Sequence, residues 1–308
     1  MNRFIRLRLL AMLLCLPFLL IFISGCGSSS QKKDEPPVYS PLQVLVPEAT
    51  GKETLGSSPM ILDVSNISQG YFIAQSDSSD LTCSLQIISP SGVLYSYFIV
   101  PGESATVTFT VGSGDYTITG YQQVQGDQYA ALYSETVTVQ LENDFLPFLY
   151  PNQYVNFTPD SKASQLALSL IDEDTVDVDA LQQIYDYVVS NLTYDYEKAD
   201  TVTTGYLPDV DETLKTGTGI CFDYAALTTA MLRSCDIPCK LQIGYAGDIK
   251  HAWIDVYIRS KGWVNQAVSF KGDTWTLMDP TFDSNSDDKE AIQDYIGDES
   301  NYTVQFTR

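Results

Sequence analysis

Short runs of alternating apolar and polar residues occupy the chain from about residue 58 to residue 141. In the run 82–88, Cys83, Leu85 and Ile87 are the alternate apolar positions, and the next four residues, Ser-Pro-Ser-Gly, have the composition of a turn. Alternation with a period of two is typical of strands that bury one face, with glycine and proline in the turns between them. About seven strands at this spacing predict a β-sandwich over residues 58–145.

The pattern changes to a helical period after Pro147 and Pro151. Apolar residues then recur every three or four positions, as Leu181, Ile184 and Val188 do, which is typical of a helix with one buried face. The predicted elements are helices at about 160–171, 181–189 and 221–233, and strands at 251–258, 263–270 and 274–278. Helices followed by neighbouring strands predict an α+β domain over residues 146–308.

The strand predicted over 251–258 has two different faces. Ala252, Ile254, Val256 and Ile258 lie on one face, whereas His251, Trp253, Asp255 and Tyr257 lie on the other. Lys271-Gly272-Asp273 predicts a hairpin turn between the next two strands. Asp279 ends the second of them, because Pro280 cannot continue a strand ladder.

The N-terminus has the features of an export signal. Arg3, Arg6 and Arg8 precede an apolar run over 9–23, which predicts a signal peptide over residues 1–25. Ile23-Ser24-Gly25-Cys26 resembles the lipobox of bacterial lipoproteins, and this resemblance implies that Cys26 is lipidated. The Gly-, Ser- and Pro-containing start of 26–57 predicts a tether. An ordinary secretory signal or a single membrane anchor remains an alternative, since the apolar run is only modestly shorter than a span of ~20 residues.

Composition narrows the classes of partner. The chain contains 17 Lys and Arg against 39 Asp and Glu, with a net charge of −22, so nucleic acid is not an expected partner. We expect an exported protein that is anchored by lipid to the extracellular face of the cell membrane. Its expected partners are the membrane, through Cys26, and a protein or wall-peptide substrate.

The cysteines are too few for a disulfide scaffold. Cys235 and Cys239 bracket a helix-to-strand turn, where two small core residues are favoured over a disulfide. A metal site through them would lack further ligands. The spacing of Asp283, Asn285, Asp287 and Asp294 is similar to that of a calcium loop, but Asp288 stands where glycine is needed, so a solvated loop is favoured. No metal or cofactor is expected.

Three residues have the chemistry of a thiol enzyme. Cys221 opens a predicted helix, where unpaired amides and the helix dipole favour thiolate over thiol. A thiolate nucleophile needs a proton donor for the leaving group, and His251 is the single histidine of the chain. A third group should orient the imidazole, and Asp279 at a nearby strand end is suitable.

The three motifs occur together in one order: Gly219-Ile220-Cys221 at a helix start, His251-Ala252-Trp253 on a strand, and Met278-Asp279-Pro280-Thr281 at a strand end. In this order they resemble the transglutaminase-like superfamily, with its papain-like thiol fold, over roughly 177–282. The resemblance implies that Cys221 is the nucleophile, His251 the general acid and base, and Asp279 the residue that holds the imidazole. In the first half, 114–121 resembles a late strand of an immunoglobulin-like sandwich.

The sequence departs from the family in two places. Cross-linking transglutaminases have a tryptophan upstream of the cysteine that helps to bind the oxyanion, whereas Trp253, Trp263 and Trp275 all follow Cys221. The Cys221 amide can supply one oxyanion donor, and Tyr194 is the candidate for the second. The strand at 263–270 also lengthens the gap between His251 and Asp279, and Asp255 is the weaker substitute.

We therefore expect thioester acyl transfer at peptide or carboxamide bonds, with hydrolysis favoured over cross-linking. Two alternatives remain open. The domain could be a non-catalytic peptide- or glycan-binding module of the same fold. Cys221, His251 and Asp279 could also be, respectively, an inert cysteine, a strand histidine and a turn residue.

Overall fold

The computed structural model describes residues 35–172, 174–265, 268–271, 274–277 and 302–308. The predicted signal peptide, Cys26, Asp279 and the aspartate-rich loop that contains Asp283 lie outside these residues. Within the described part of the chain, no helix combines the length and the apolar character needed to span a bilayer.

The first half contains eight strands in two antiparallel sheets. One sheet has the order β1 (Thr54–Ser57), β2 (Met60–Asp63), β3 (Tyr71–Ser76), β6 (Ser104–Thr108), and the other has the order β5 (Leu94–Ile99), β4 (Cys83–Ile88), β7 (Gly114–Gln125), β8 (Gln128–Val139). A 3₁₀ helix, Ile67–Gln69, precedes β3. Apolar side chains from both sheets, including Leu62, Phe72, Leu85 and Ile118, form one buried cluster. The two sheets therefore share a core, as alternation in the sequence requires.

The stretch before this unit differs from the predicted tether. Strand β1 begins at Thr54, inside the range 26–57. Val44 packs into the core of the helical half, and Leu45 packs with Tyr71 of β3. Burial of the apolar residues in this stretch stabilises the folded chain. A prediction made from Gly, Ser and Pro content does not include this stabilisation.

The second half combines helices with a four-stranded antiparallel sheet. Its helices are α1 (Lys162–Leu170), α2 (Asp177–Asn191), α3 (Tyr196–Thr201), α4 (Val210–Thr216) and α5 (Cys221–Ser234), with a 3₁₀ helix at Leu146–Phe148. Two short strands, β9 (Thr193–Tyr194) and β10 (Thr218–Gly219), pair in parallel. The sheet has the order β13 (Gly262–Val264), β12 (Ile249–Ile258), β11 (Cys239–Ala246), β16 (Tyr302–Thr307), and β14 (Val268–Lys271) pairs with β15 (Thr274–Leu277).

Helix α5 lies at the centre of this half. Every residue from 223 to 234 is buried, and the apolar ones pack against α1, α2 and the sheet. The predicted faces of β12 are confirmed, because Ala252 and Ile254 join this core whereas Trp253 packs on the other face with Ala246 and Tyr302. The predicted strand 263–270 is instead two strands, since β13 pairs with β12 and β14 pairs with β15.

The segment 152–154 connects the two halves along the free edge of β5. Gln153 Nε2 donates to the carbonyl oxygen of Phe98 at 2.7 Å, and the Tyr154 hydroxyl donates to that of Ser96 at 3.0 Å. An edge strand presents main-chain groups without a strand partner. The two side chains thus bond two of the free carbonyl oxygens of β5, and they bring this strand next to the start of α5.

Candidate active site

Cys221 is the first residue of α5 and is half-buried with a free thiol. The residue before it, Ile220, is extended, with φ −98° and ψ 175°. The first amides of a helix have no acceptor within the helix and carry its positive dipole end. The thiol therefore lies at the N-terminal end of α5, the position that the sequence predicted for it.

A buried carboxylate holds the helix start in place. Asp223 is fully buried, and its Oδ2 accepts from the Ile220 amide at 2.8 Å and from Lys198 Nζ at 2.7 Å. Its Oδ1 accepts from the Tyr206 hydroxyl at 2.5 Å. Burial raises the pKa of Tyr206 to about 12, and the hydrogen bond to Asp223 acts in the same direction. This phenol therefore stays a neutral donor.

Gly219 and Tyr194 lie next to each other beside the thiol. They are paired in the two-stranded β9–β10 ladder, and the Asp195 amide donates to the Gly219 carbonyl at 2.9 Å. A Cβ at position 219 would lie only 2.7 Å from the Cβ of Asp223. The absence of a side chain at Gly219 thus allows the buried Asp223 carboxylate to lie against the main chain there. The pairing of Gly219 with Tyr194 brings Tyr194 close to the start of α5.

His251 lies on β12, opposite Gly244 of β11. Its ring is buried and stacks on Trp253 with 6.3 Å between ring centroids and an interplanar angle of 18°. Tyr302 of β16 contacts both rings, with centroids 6.5 Å from His251 and 5.1 Å from Trp253. The aromatic neighbours fix the plane of the imidazole, so His-x-Trp on one strand face has a direct structural role.

One cavity of about 480 Å³ brings these residues together. Cys221, His251 and Tyr194 all line it, and so does Tyr206 from the network around Asp223. Its volume is within the usual range for a small-ligand or peptide side-chain site. The cavity therefore has room for the acyl group that a thiolate at Cys221 would attack.

The third predicted residue, Asp279, lies outside the described residues, two positions after the end of β15. Asp255, its weaker substitute, is buried on the same face of β12 as His251 and accepts from Gln242 Nε2 at 2.5 Å. Asp255 is not among the residues that line the cavity. It lies four residues along β12 from His251, and Trp253 stands between them on that face.

The other cysteines of the described residues are buried free thiols. Burial raises the pKa of Cys239 to about 12, and burial together with nearby Asp236 raises the pKa of Cys235 to about 12. The predicted reading of Cys235 and Cys239 as small core residues is confirmed. No three His, Cys, Asp or Glu side chains of the described chain are grouped as metal ligands.

Sequence reasoning missed two parts of this site. Asp223 could have been found from its position. It is the third residue of the helix, and a carboxylate at that position often accepts a hydrogen bond from the amide of the N-cap residue, here Ile220. Arg308, which lines the cavity beside Tyr154, had no local signal. Its position depends on β16, which pairs with β11 far away in the sequence.

Comparison with known proteins agrees with this geometry. A model of the transglutaminase-like superfamily matches residues 164–280, which include Cys221, His251 and Asp279. A search of curated proteins found no match.

Several solved structures are similar to this chain. A candidate cysteine protease from Cytophaga hutchinsonii is 16% identical over 83% of this chain and 84% of its own, with a TM-score of 0.37. The periplasmic domain of TgpA from Pseudomonas aeruginosa is 14% identical over 69% of this chain and 91% of its own, with a TM-score of 0.31. The transglutaminase of red sea bream is 15% identical over 70% of this chain and 48% of its own, with a TM-score of 0.26. The match to the family model supports a transglutaminase-like domain over residues 164–280.

Proposed function

We propose that this protein is a cysteine-dependent acyl-transfer enzyme that acts on peptide or carboxamide bonds. The observation that carries the proposal is that Cys221, at the start of the buried helix α5, and His251, the single histidine, line the same cavity. Both lie in the segment that matches the superfamily model. Each residue alone has an ordinary structural explanation, whereas a thiol and an imidazole at one cavity have the parts of a nucleophile and its acid–base partner.

The chemistry follows from these parts. The Cys221 thiolate attacks the carbonyl carbon, the carbon–nitrogen bond breaks, and His251 gives its proton to the departing amine. A thioester remains on Cys221. The Cys221 amide and the Tyr194 hydroxyl are the proposed oxyanion donors, and Asp279 is the proposed partner that orients His251.

We favour water as the nucleophile that resolves the thioester. Water attacks the acyl carbon, its proton passes to His251, and the carbon–sulfur bond breaks to release a carboxylic acid and the thiolate. All three tryptophans of the chain follow Cys221, and none is among the described residues that line the cavity. The upstream tryptophan of the cross-linking enzymes thus has no counterpart. If a lysine amine resolved the thioester, the protein would be a cross-linker.

The setting of the enzyme is also part of the proposal. We propose a signal peptide over 1–25, lipidation at Cys26, and an extracellular membrane anchor. The domain limits of 58–145 for an immunoglobulin-like sandwich and 146–308 for the thiol domain belong to the same hypothesis. The substrate would then be a surface protein or wall peptide within reach of the anchored domain.

Alkylation of the intact protein by iodoacetamide across pH tests the nucleophile. We expect one fast thiol, identified as Cys221 by peptide mapping, with Cys235 and Cys239 silent until the protein unfolds, because burial keeps both as neutral thiols. The rate should fall in His251→Ala. Cys83→Ser is the matched control, because Cys83 is buried in the β-sheet half and its loss should leave the fast rate unchanged.

Substrate assays then separate the alternatives. A glutamine peptide incubated with an amine probe should release mostly free acid and incorporate little probe. Predominant probe incorporation would instead identify a cross-linker. Equal, slow alkylation of Cys83, Cys221, Cys235 and Cys239, together with no turnover, would contradict the enzyme proposal and favour a peptide- or glycan-binding module.

A further inference from the structure

The charged residues known to line the cavity at Cys221 have the opposite sign from the net charge of the chain. The chain has a net charge of −22, yet the described residues that line the cavity include Lys250 and Arg308 and no Asp or Glu. Low-dielectric walls concentrate the field of such charges inside a cleft. An anionic group is therefore attracted to this cavity although the whole protein repels anions.

Arg308 is held rigidly at the wall of the cavity. Its main chain exchanges two hydrogen bonds with Leu241 of β11, at 2.8 and 3.0 Å. Its guanidinium carbon lies 4.0 Å from the ring centroid of Tyr154 and 4.8 Å from those of Tyr95 and Tyr97. The Tyr95, Tyr97 and Tyr154 rings form an aromatic cage that keeps the side chain in one orientation.

The charge of Arg308 is not matched within the described protein. The residue is only 4% exposed, and its polar contacts are Nη1 to the Tyr97 hydroxyl at 2.7 Å and Nη2 to the Tyr154 hydroxyl at 3.2 Å. Its Nε is buried with no hydrogen-bond partner. The ion pairs of the described residues, Lys198–Asp223 and Lys215–Glu212, do not involve it.

A desolvated guanidinium without a carboxylate is costly unless a ligand supplies the anion. Arg233, the other fully buried arginine, shows the contrast, because it donates to three main-chain oxygens, those of Tyr150, Cys239 and Arg308. Arg308 keeps unused donors beside a cavity. This is the arrangement of a site that awaits an acceptor.

We propose that Arg308, assisted by Lys250, binds a carboxylate of the substrate and so selects acyl donors that carry a carboxylate close to the reacting carbonyl. The inference rests on the proposed function, because it assigns the substrate class of the same cavity. The ligand group is a carboxylate that accepts hydrogen bonds from Arg308. An Asp or Glu side chain or a free C-terminus of the substrate can each supply it. The cage draws on both halves of the chain, since Tyr95 and Tyr97 belong to β5 and Tyr154 follows the first half.

Binding can be measured without catalysis in the full chain with Cys221→Ser. Three glutamine peptides of equal length are compared by calorimetry: one with a neighbouring glutamate and both ends blocked, one with a free C-terminal carboxylate, and one neutral throughout. We expect at least one carboxylate peptide to bind roughly tenfold tighter than the neutral peptide, a difference of about 1.4 kcal/mol. The preference should shrink as salt is raised. Equal affinity for all three peptides would overturn the proposal.

Variants assign the preference to a residue. Arg308→Gln should abolish the preference, and Arg308→Lys should keep part of it, because the charge stays while the fork of donors is lost. Lys250→Gln should weaken it by a few-fold, and the exposed Lys215→Gln outside the cavity should leave it unchanged. A preference that survives in folded Arg308→Gln would overturn the assignment. If Arg308→Gln fails to fold, two other measurements test the assignment. They are the carboxylate preference of Arg308→Lys and the salt dependence of the preference in the protein that keeps Arg308.

A second readout separates this inference from the enzyme proposal. Iodoacetate carries a carboxylate and iodoacetamide does not, so the ratio of their rates at Cys221 reports the field of the cavity. We expect the ratio of the iodoacetate rate to the iodoacetamide rate to fall several-fold in Arg308→Gln, because a change in the thiolate fraction alters both rates equally and cancels in the ratio. A fast thiol with an unchanged ratio would defeat the carboxylate site alone. A slow thiol together with a clear carboxylate preference in peptide binding would defeat the enzyme proposal alone.

Discussion

Replacing Asp223 by asparagine tests whether the buried carboxylate holds the start of α5. Asp223 is fully buried and accepts from the Ile220 amide, Lys198 Nζ and the Tyr206 hydroxyl at 2.5 to 2.8 Å. Asparagine has nearly the same shape, but it removes the charge and turns an NH₂ group toward donors. The substitution therefore isolates the charged hydrogen bonds from packing.

The magnitude follows from these contacts. Breaking a buried ion pair by removing one partner costs about 3–5 kcal/mol. The lower end applies here, because the Lys198 side chain is 29% exposed and can regain water. We therefore expect Asp223→Asn to lower the free energy of unfolding by about 3 kcal/mol, which corresponds to a fall in Tm of roughly 6–12 °C for a domain of this size.

Thermal unfolding followed by circular dichroism measures this change. Glu212→Gln is the matched control, because its ion pair with Lys215 has the same 2.7 Å separation but side chains that are 74% and 54% exposed. Its Tm should equal that of the parent within error, since solvent screens exposed pairs. A double-mutant cycle with Lys198→Met then isolates the pair itself. The reasoning would be refuted if Asp223→Asn unfolded at the same temperature as Glu212→Gln.

Three further substitutions test other parts of the structure. Arg233→Met should lower the free energy of unfolding by about 3–5 kcal/mol in a urea titration, because it leaves buried carbonyl oxygens without donors. Gly219→Ala should cost about 1–3 kcal/mol and slow alkylation of Cys221, since the new Cβ would lie 2.7 Å from the Asp223 Cβ. Burial raises the pKa of Asp236 from 3.8 to about 7, so the folded state keeps a proton that the unfolded state loses, and stability should fall as pH rises from ~4 to ~7. Asp236→Asn should remove most of that dependence in melts at the two pH values, and asparagine tolerates the φ of 58° at this position.

Local patterns predicted on which elements the candidate residues lie. The glycine-rich start before Cys221 and the helix formers after it fixed the beginning of α5, because helix starts are governed by a few neighbouring residues. Alternation placed His251 and Trp253 on one face of β12, as the structure has them. Tyr194 was proposed near the thiol, and it lines the same cavity. Asp279 lies outside the described residues, so its pairing with His251 remains a prediction.

Long-range packing was beyond the reach of those patterns. The aspartate two residues after Cys221 was read only as part of a helix, yet it is buried because Lys198 and Tyr206 reach it from a separate loop. The polar start of 26–57 predicts a tether, yet Val44 and Leu45 are buried in two different clusters.

The sequence alone determined which residues could do chemistry and on which element each one lies, because helix starts and strand faces depend on neighbours within a few positions. Only the tertiary structure decided which of those elements meet. It placed Arg308 and its aromatic cage at the thiol cavity through the pairing of β16 with β11 and the contact of β5 with the segment 152–154. Contacts between distant segments are selected by the burial and hydrogen bonding of the whole core, and no short window of residues carries that information.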